Sequence, residues 1–205
     1  MVFQEFRSTF RNYPLFSIKE VEKLYPSFDA KNLVNWQHKM YIQKIRNSWY
    51  RLTENPLDLD TLFFISNQMY APSYISLESA LSYYGFIPEG VFKITAISTL
   101  KTQEFTTPAS VFSYRSIKPE LYFGYQLVSF GSFHFKIAEP EKTILDYLYL
   151  YPEYNTEDHF FELRWNVLEM NRQIDFKKLN DYQAHIKSKA LTKRFKILLK
   201  FLNDA

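Results

Sequence analysis

The sequence lacks several of the features on which common classes of protein depend. Cysteine is absent from the 205 residues, which excludes disulfide bonds and thiolate metal sites and is typical of a cytoplasmic protein. No apolar run approaches the roughly 20 residues that cross a bilayer, and charges interrupt the first residues where a signal peptide would be apolar. We therefore expect a cytoplasmic protein with no membrane segment.

Catalytic motifs are also lacking. The sequence contains no GxxxxGK[ST], GxGxxG, HExxH or GxSxG pattern, and four glycines leave little material for a phosphate-binding loop. The four histidines do not have the spacing of metal ligands, so we expect neither a metal nor a cofactor. They are His38, His134, His159 and His185.

One stretch resembles a nuclease site in composition. Glu139, Glu141 and Lys142 follow a predicted strand, and metal-dependent nucleases place a carboxylate, one spacer residue and a lysine at such a strand end. Here Glu141 directly precedes Lys142 and Glu139 lies three positions before it, so the spacing differs. Glutamates beside Pro140 are expected at a helix start, where the helix dipole favours negative charge. We predict that the protein is not an enzyme, and nuclease activity stays the third hypothesis.

Charge is distributed unevenly along the chain, although the net charge is only +3. Residues 1–53 carry nine Lys/Arg and four Asp/Glu, whereas residues 54–176 carry eight and sixteen. Residues 177–205 carry eight and two. Two basic ends flanking an acidic middle indicate either polyanion binding at the ends or docking of the ends on the middle.

The basic N-terminal segment has the pattern of two short helices. Ser17 and Glu20 have capping-box spacing and predict a helix over 18–25. After a short turn, Asp29 predicts the start of a helix over 30–39. The apolar positions expected to be buried on this second helix are Ala30, Leu33, Val34 and Trp36.

A basic hairpin is predicted to follow. An Asn-Ser dipeptide at 47–48 suits a two-residue turn between strands, because Asn tolerates the left-handed conformation. In that register Arg46 lies opposite Trp49 and Lys44 opposite Arg51, so all four point to one face. The opposite, apolar face would hold Ile45, Tyr50 and Leu52.

Helix, turn, helix and basic hairpin in this order predict a winged helix-turn-helix domain over residues 1–55. Such a domain inserts one helix into the major groove of double-stranded DNA and places the hairpin on the backbone. The alternatives are a helical subdomain with a solvated polar face and a protein-binding module. The candidate DNA-binding residues are Lys31, Asn32, Asn35, His38 and Lys39 on the helix, and Lys44, Arg46 and Arg51 on the wing.

The remaining residues, 56–205, predict a mixed α/β domain with an antiparallel sheet and C-terminal helices, which makes the whole protein α+β. Ser76 is expected to cap a helix, and Gly131-Ser132 to turn a hairpin over 126–137. The predicted helices cover 59–69, 77–84, 140–150, 156–170 and 176–202, and the other predicted strands cover 92–99, 103–107 and 111–117.

The last predicted helix carries two stripes on opposite sides. Its apolar stripe is expected to pack on the protein, and its lysine stripe, about 160° away, is expected to face outward. No acidic residue lies between Lys187 and Lys200, so this second basic surface is a candidate anion contact, with a merely solvated face as the alternative. The apolar residues are Leu191, Phe195, Leu198 and Leu202, and the lysines are Lys189, Lys193, Lys196 and Lys200.

Three stretches resemble the AbiEi family of antitoxins: PSYISLESALSYYGFIP (72–88), YRSIKPELYFGY (114–125) and IAEPEKTILDYLYL (137–150). The resemblance implies a regulator of a type IV toxin–antitoxin system. Its winged helix would bind inverted repeats in the operon promoter through the helix 30–39 and the wing 44–51 and repress transcription. Its C-terminal domain would counter a nucleotidyltransferase toxin.

This resemblance leaves two questions open. The chain could instead be a stand-alone regulator or a protein-interaction module with no toxin partner, and a neighbouring nucleotidyltransferase-like gene would separate these possibilities. The second basic surface could bind either flanking DNA or an acidic or nucleic-acid-bound surface of the toxin system.

Overall fold

The computed structural model describes residues 1–204, and its N-terminal part is a small unit with its own sheet. Three antiparallel strands are ordered β1-β3-β2, with helices before and between them. In chain order the elements are α1 (Phe3–Phe10), β1 (Phe16–Ser17), α2 (Ile18–Leu24), α3 (Lys31–His38), β2 (Ile42–Arg46) and β3 (Trp49–Leu52).

Aromatic side chains fill the core of this unit. Phe6, Phe10 and Phe16 are fully buried and lie in contact with one another. The predicted capping box is confirmed at the start of α2: Ser17 Oγ accepts from the backbone N–H of Glu20, and the Glu20 carboxylate accepts from the backbone N–H of Ser17 at 2.6 Å. Caps of this kind satisfy helix-end donors and fix where the helix begins.

A larger region follows, and the predicted boundary at residues 55 and 56 falls between β3 and the first helix of this region. A short 3-10 helix covers Pro119–Leu121. The elements are α4 (Leu59–Met69), β4 (Ser73–Ile75), α5 (Glu78–Tyr83), β5 (Lys93–Ser98), β6 (Gln103–Thr106), β7 (Val111–Ser116), β8 (Tyr125–Phe130), β9 (Phe133–Ala138), α6 (Pro140–Leu150), α7 (Glu157–Glu162), α8 (Val167–Gln173), α9 (Phe176–His185) and α10 (Lys189–Asp204).

Six strands form one sheet in the order β6-β7-β5-β4-β9-β8. The α+β class is confirmed, but the sheet is mixed and not wholly antiparallel as predicted, because β5 pairs with β7 and β4 with β9 in parallel. The three-residue strand β4 was not predicted, although it connects the two halves of the sheet. The hairpin that turns through Gly131-Ser132 is confirmed, with β8 and β9 as its strands.

The two faces of the sheet are covered by different layers. Neighbouring residues along a strand point to opposite faces: Ile75 joins a core with α4 and with Leu15 and Ile45 of the N-terminal unit. Tyr74 joins a second core with α6, α9 and α10. The N-terminal unit and α10 therefore lie on opposite sides of the sheet.

The C-terminal helices are shorter than predicted. The helix expected over 176–202 is interrupted at 186–188, and a continuous helix would turn Leu179 and Leu191 about 120° apart. The interruption lets both side chains be fully buried. The helix expected over 156–170 ends at Glu162, and Arg164 adopts a φ of 51° before α8 begins. Among the described residues, no helix combines the length and apolarity needed to cross a membrane.

Candidate nucleic-acid interface

Helix α3 begins one residue later than predicted. The backbone N–H of Lys31 donates to Asp29 Oδ1 at 2.9 Å, so Asp29 holds the first turn although Ala30 occupies the N-cap position. The connection from α2 covers residues 25–30 and is longer than the short turn expected between the two helices. Phe28 packs from this connection onto Phe6, which fixes the approach of α3 to the core.

One side of α3 is anchored in the aromatic core. Leu33 is 2% exposed and Trp36 is 5% exposed. The Trp36 ring lies 4.6 Å from the Phe6 ring and 5.3 Å from the Phe3 ring, measured between centroids. The opposite side of α3 therefore faces solvent in a fixed orientation.

The solvent side of α3 carries most of the predicted helix residues and one that was missed. Val34 was predicted to be buried, but it is 53% exposed, because about 100° per residue places it about 160° from Trp36. A helical projection centred on Leu33 and Trp36 would have found this. Ala30, also expected to be buried, is exposed because it precedes the first turn of α3. Asn32 lies at the edge of the face and is half-buried, whereas the exposed members are Lys31, Asn35, His38 and Lys39.

This face has the donor and acceptor types that read base edges. An asparagine amide can pair with adenine, and a lysine can bind guanine or phosphate. An exposed apolar side chain such as Val34 can contact the methyl group of thymine. Lys31, Val34, Asn35 and His38 recur every three or four residues and so share one face.

The hairpin confirms one predicted pair and corrects the other. Arg46 lies opposite Trp49 as expected, but Lys44 lies opposite Tyr50 and Arg51 opposite Gln43. The register shifts between Lys44 and Arg46, which is the signature of a bulge in β2. The prediction that the basic residues share one outer face is therefore wrong.

Arg51 lies inside the N-terminal unit, contrary to its predicted place on the outer face. It is 4% exposed, and burial lowers the pKa of its guanidinium. Its Nη1 donates to Gln43 Oε1 at 3.2 Å, and its Nη2 donates to the carbonyl of Asn55. Asn55 in turn donates from Nδ2 to the carbonyl of Tyr13. Arg51 thus ties the end of β3 to the segment before β1.

Arg46 joins the hairpin to the second region of the molecule. Its Nη1 donates to the carbonyl of Met69 at 3.1 Å, and its guanidinium carbon lies 3.7 Å from the centre of the Phe105 ring. This geometry is a cation–π contact with the edge strand β6. Arg46 is half-buried, so Lys44 is the exposed member of the three predicted wing residues.

The stretch considered for nuclease chemistry lies at the start of α6 and packs against α9, with Glu139 half-buried there. Glu139 accepts from the Tyr182 hydroxyl at 2.6 Å and lies 2.9 Å from Lys178 Nζ. Glu141 is 3% exposed and accepts from the backbone N–H of Asp175. These carboxylates hold α9 against α6, a role the helix-dipole interpretation did not foresee.

A buried polar cluster lies beneath these glutamates. Lys142 is fully buried, forms an ion pair with Asp146 one turn later on α6, and donates to the Tyr74 hydroxyl oxygen at 2.8 Å. Tyr74 and Ser76 both donate to Asp146 Oδ2 at 2.9 Å. Burial raises the pKa of Tyr74 well above its usual value, so it acts as a neutral phenol.

Ser76 therefore does not cap α5 as predicted. Leu77 occupies the N-cap position with a φ of 58° and no side-chain cap. The cluster instead connects β4 to α6.

The second basic surface is placed as expected, with one qualification. Leu191, Phe195, Leu198 and Leu202 are buried, and the four lysines lie on the exposed side of α10. Lys200 is engaged with Glu157 at 2.7 Å. The other three lysines are Lys189, Lys193 and Lys196.

Neither a protein-family model nor a curated protein matches this chain. The case for function therefore depends on the residues of the chain and their geometry.

Proposed function

We propose that residues 1–55 form a winged helix-turn-helix domain that binds double-stranded DNA. The proposal rests on how α3 is held against the core. Leu33 and Trp36 are buried and fix its orientation. The opposite side, with Lys31, Asn35 and His38, is exposed to solvent. The order of elements and the three-stranded sheet β1-β3-β2 support this assignment. In such domains the second helix of the motif enters the major groove.

The hairpin β2–β3 takes the place of the wing in this proposal. Its contribution to phosphate binding comes from Lys44 and from the exposed turn at 47–48, since Arg46 and Arg51 have partners inside the protein. The wing therefore offers little exposed positive charge for phosphate contacts. In this proposal α3 supplies most of the discrimination between DNA sequences.

We further propose that this binding represses transcription and that the protein is the antitoxin of a type IV pair. The support is the resemblance of the three sequence stretches to AbiEi antitoxins. The operator would contain inverted repeats, and the functional partner would be a nucleotidyltransferase toxin. The alternative is a stand-alone regulator without a toxin.

Fluorescence anisotropy with the duplex upstream of the protein's own gene tests DNA binding. We expect preference for that duplex over a shuffled one, and Asn35→Ala should remove about 1–3 kcal/mol of that preference. Asn180→Ala is the matched control, because Asn180 is also an exposed helical asparagine but lies on α9, across the sheet. Equal affinity of the wild-type protein for both duplexes would contradict the proposal.

Co-expression with the product of the adjacent gene tests the antitoxin role. If that product arrests growth, co-expression of the full-length protein should restore growth. The Asn35→Ala variant should also restore growth, because toxin neutralisation is assigned to residues 56–205. A neighbouring gene without toxic effect would favour the stand-alone regulator.

A further inference from the structure

Helix α10 has a row of cations that the fold does not use. Its buried side packs on α6 and α7, and Lys189, Lys193 and Lys196 are exposed on the other side. Within the part of the chain that the structure describes, none of these three has an ion-pair partner. By contrast, Lys178 pairs with Glu139 and Lys93 with Glu104.

This row does not serve stability. Lysines three and four positions apart on a helix repel each other mildly, and a helix selected only for solubility usually mixes both signs of charge. No acidic residue interrupts the stretch from Lys187 to Lys200. A function that needs concentrated positive charge explains this composition.

The position of α10 separates this row from the DNA-binding face. The apolar side of α10 belongs to the core on one face of the six-stranded sheet. Leu15 and Ile45 attach the N-terminal unit to the core on the other face. A duplex in contact with α3 is therefore on the far side of the sheet, and a ligand on α10 must be a different segment.

The chemistry of the row favours a phosphodiester backbone over a protein partner. Protein interfaces are enriched in aromatic residues and arginine and depleted in lysine, and no large apolar side chain on the described part of α10 is exposed. Lysine acts as a point charge toward phosphates and needs no fixed geometry. Lys189 and Lys196 lie about 10.5 Å apart along the helix axis, which is enough for several successive phosphates.

The basic surface continues beyond the start of α10. Lys187 is exposed and lines a cavity of about 310 Å³ together with Lys118 and His185. Glu120 also lines this cavity, which confines the uninterrupted positive charge to α10 and the residues immediately before it.

We infer that Lys189, Lys193 and Lys196, extended by Lys187, form a second nucleic-acid site that binds a phosphate backbone independently of α3. The site goes beyond the proposed operator binding and does not require it. Because the N-terminal unit and α10 pack on opposite faces of the sheet, one molecule can hold two nucleic-acid segments. Binding at α10 is independent of base sequence and steeply salt-dependent.

The test uses the full chain and two probes, a 20-base-pair duplex of random sequence and a 20-nucleotide single-stranded RNA. The variant is Lys189→Gln/Lys193→Gln/Lys196→Gln, and the charge-matched control is Lys93→Gln/Lys101→Gln/Arg172→Gln, whose positions are also exposed. Urea unfolding checks that both remain folded. We expect the α10 variant to lose at least about tenfold in affinity and two to three units of salt slope, at about 0.9 per phosphate contact.

The outcomes separate the two sites. Loss with the α10 variant but not with the control supports the inference, and the probe bound more tightly tells whether DNA or RNA supplies the backbone. The α10 variant should keep its preference for the upstream duplex over a shuffled one, because that preference is assigned to α3. If the wild-type protein shows no such preference, the proposed operator binding fails, but the loss of affinity in the α10 variant still tests the second site. If the α10 variant and the control have the same affinity for each probe, the inference is overturned. The exposed lysines of α10 would then contact an acidic protein or only solvent.

Discussion

The hairpin β2–β3 and helix α10 both carry basic residues that the sequence places on an outer face, yet they use them differently. In α10 the lysines are exposed, and Lys200 reaches a neighbouring helix through Glu157. In the hairpin, Arg51 is buried and Arg46 stacks on another strand. The difference follows from the side chains, because a guanidinium has five donors and a flat face that packs on aromatic rings, whereas an ammonium is strongly hydrated. Among the described residues an ammonium is buried only at Lys142, which is paired with Asp146.

The position of a basic residue in a sequence pattern therefore does not determine whether its side chain is buried or exposed. A buried cation contributes to stability through its partners, and removing it costs free energy of unfolding. An exposed cation in the proposed nucleic-acid sites should contribute to binding instead, and removing it should change the salt dependence of affinity. Variants at Lys142, Arg51, Lys44 and Arg46 separate these two roles.

Lys142 is a fully buried cation, and we expect its loss to lower the free energy of unfolding more than a substitution at any of the other three positions. Lys142→Met leaves Asp146 buried without its ion-pair partner, and loss of one member of a buried pair typically costs about 3–5 kcal/mol. Urea unfolding should show this loss, whereas Lys193→Met on the exposed face of α10 should change stability by less than about 0.5 kcal/mol.

A second variant tests the pair itself. Lys142→Met with Asp146→Leu removes both charges, and such replacements of a buried pair by apolar residues are often neutral or stabilising. We therefore expect the double variant to recover most of the stability lost by Lys142→Met. Equal stability of Lys142→Met and the wild type would contradict the burial of this cluster.

Arg51 should have the next largest effect, on stability and not on DNA contacts. Its guanidinium donates to Gln43 and to the carbonyl of Asn55, and hydrogen bonds of charged groups are worth about 1.5–3 kcal/mol. Arg51→Met keeps the apolar stem and should cost about 2 kcal/mol in urea unfolding. Under conditions where the variant is folded, its affinity for duplex DNA should equal that of the wild type. A shallower slope of log affinity against log salt in this variant would indicate that Arg51 contacts DNA.

Local patterns in the sequence predicted the helices α2 and α3 to within a residue or two and both stripes of α10, but they missed the breaks at 163–166 and 186–188. The capping box of Ser17 and Glu20 and the turn at Gly131-Ser132 depend on neighbouring residues, so the sequence shows them directly. The burial of Lys142 depends on Tyr74, which is 68 residues away, and no local pattern records such a partner. The parallel pairing of β4 with β9 was missed for the same reason.

The hairpin register shows the limit at short range as well. A bulge shifts pairing by one residue, and with a period of two this moves side chains to the other face. The residues from Ile42 to Leu52 contain no glycine that would mark the bulge, so the sequence predicted Arg46 opposite Trp49 correctly and Arg51 opposite Lys44 wrongly. The candidate site was therefore predictable on α3 and α10, where helical periodicity decides, but not on the wing.

The smallest predicted effect distinguishes Lys44 from Arg46 within the hairpin. Lys44 is exposed and should touch phosphate, so Lys44→Gln should lower the slope of log affinity against log salt by about 0.9. Arg46 already donates to Met69 and stacks on Phe105, so Arg46→Gln should leave the slope unchanged. It should instead cost about 0.5–2 kcal/mol of unfolding free energy through the lost cation–π contact. Salt titrations of anisotropy on the upstream duplex measure the slopes. If Arg46→Gln lowers the slope as Lys44→Gln does, the guanidinium must leave Phe105 on binding, and the hairpin then rearranges when it meets DNA.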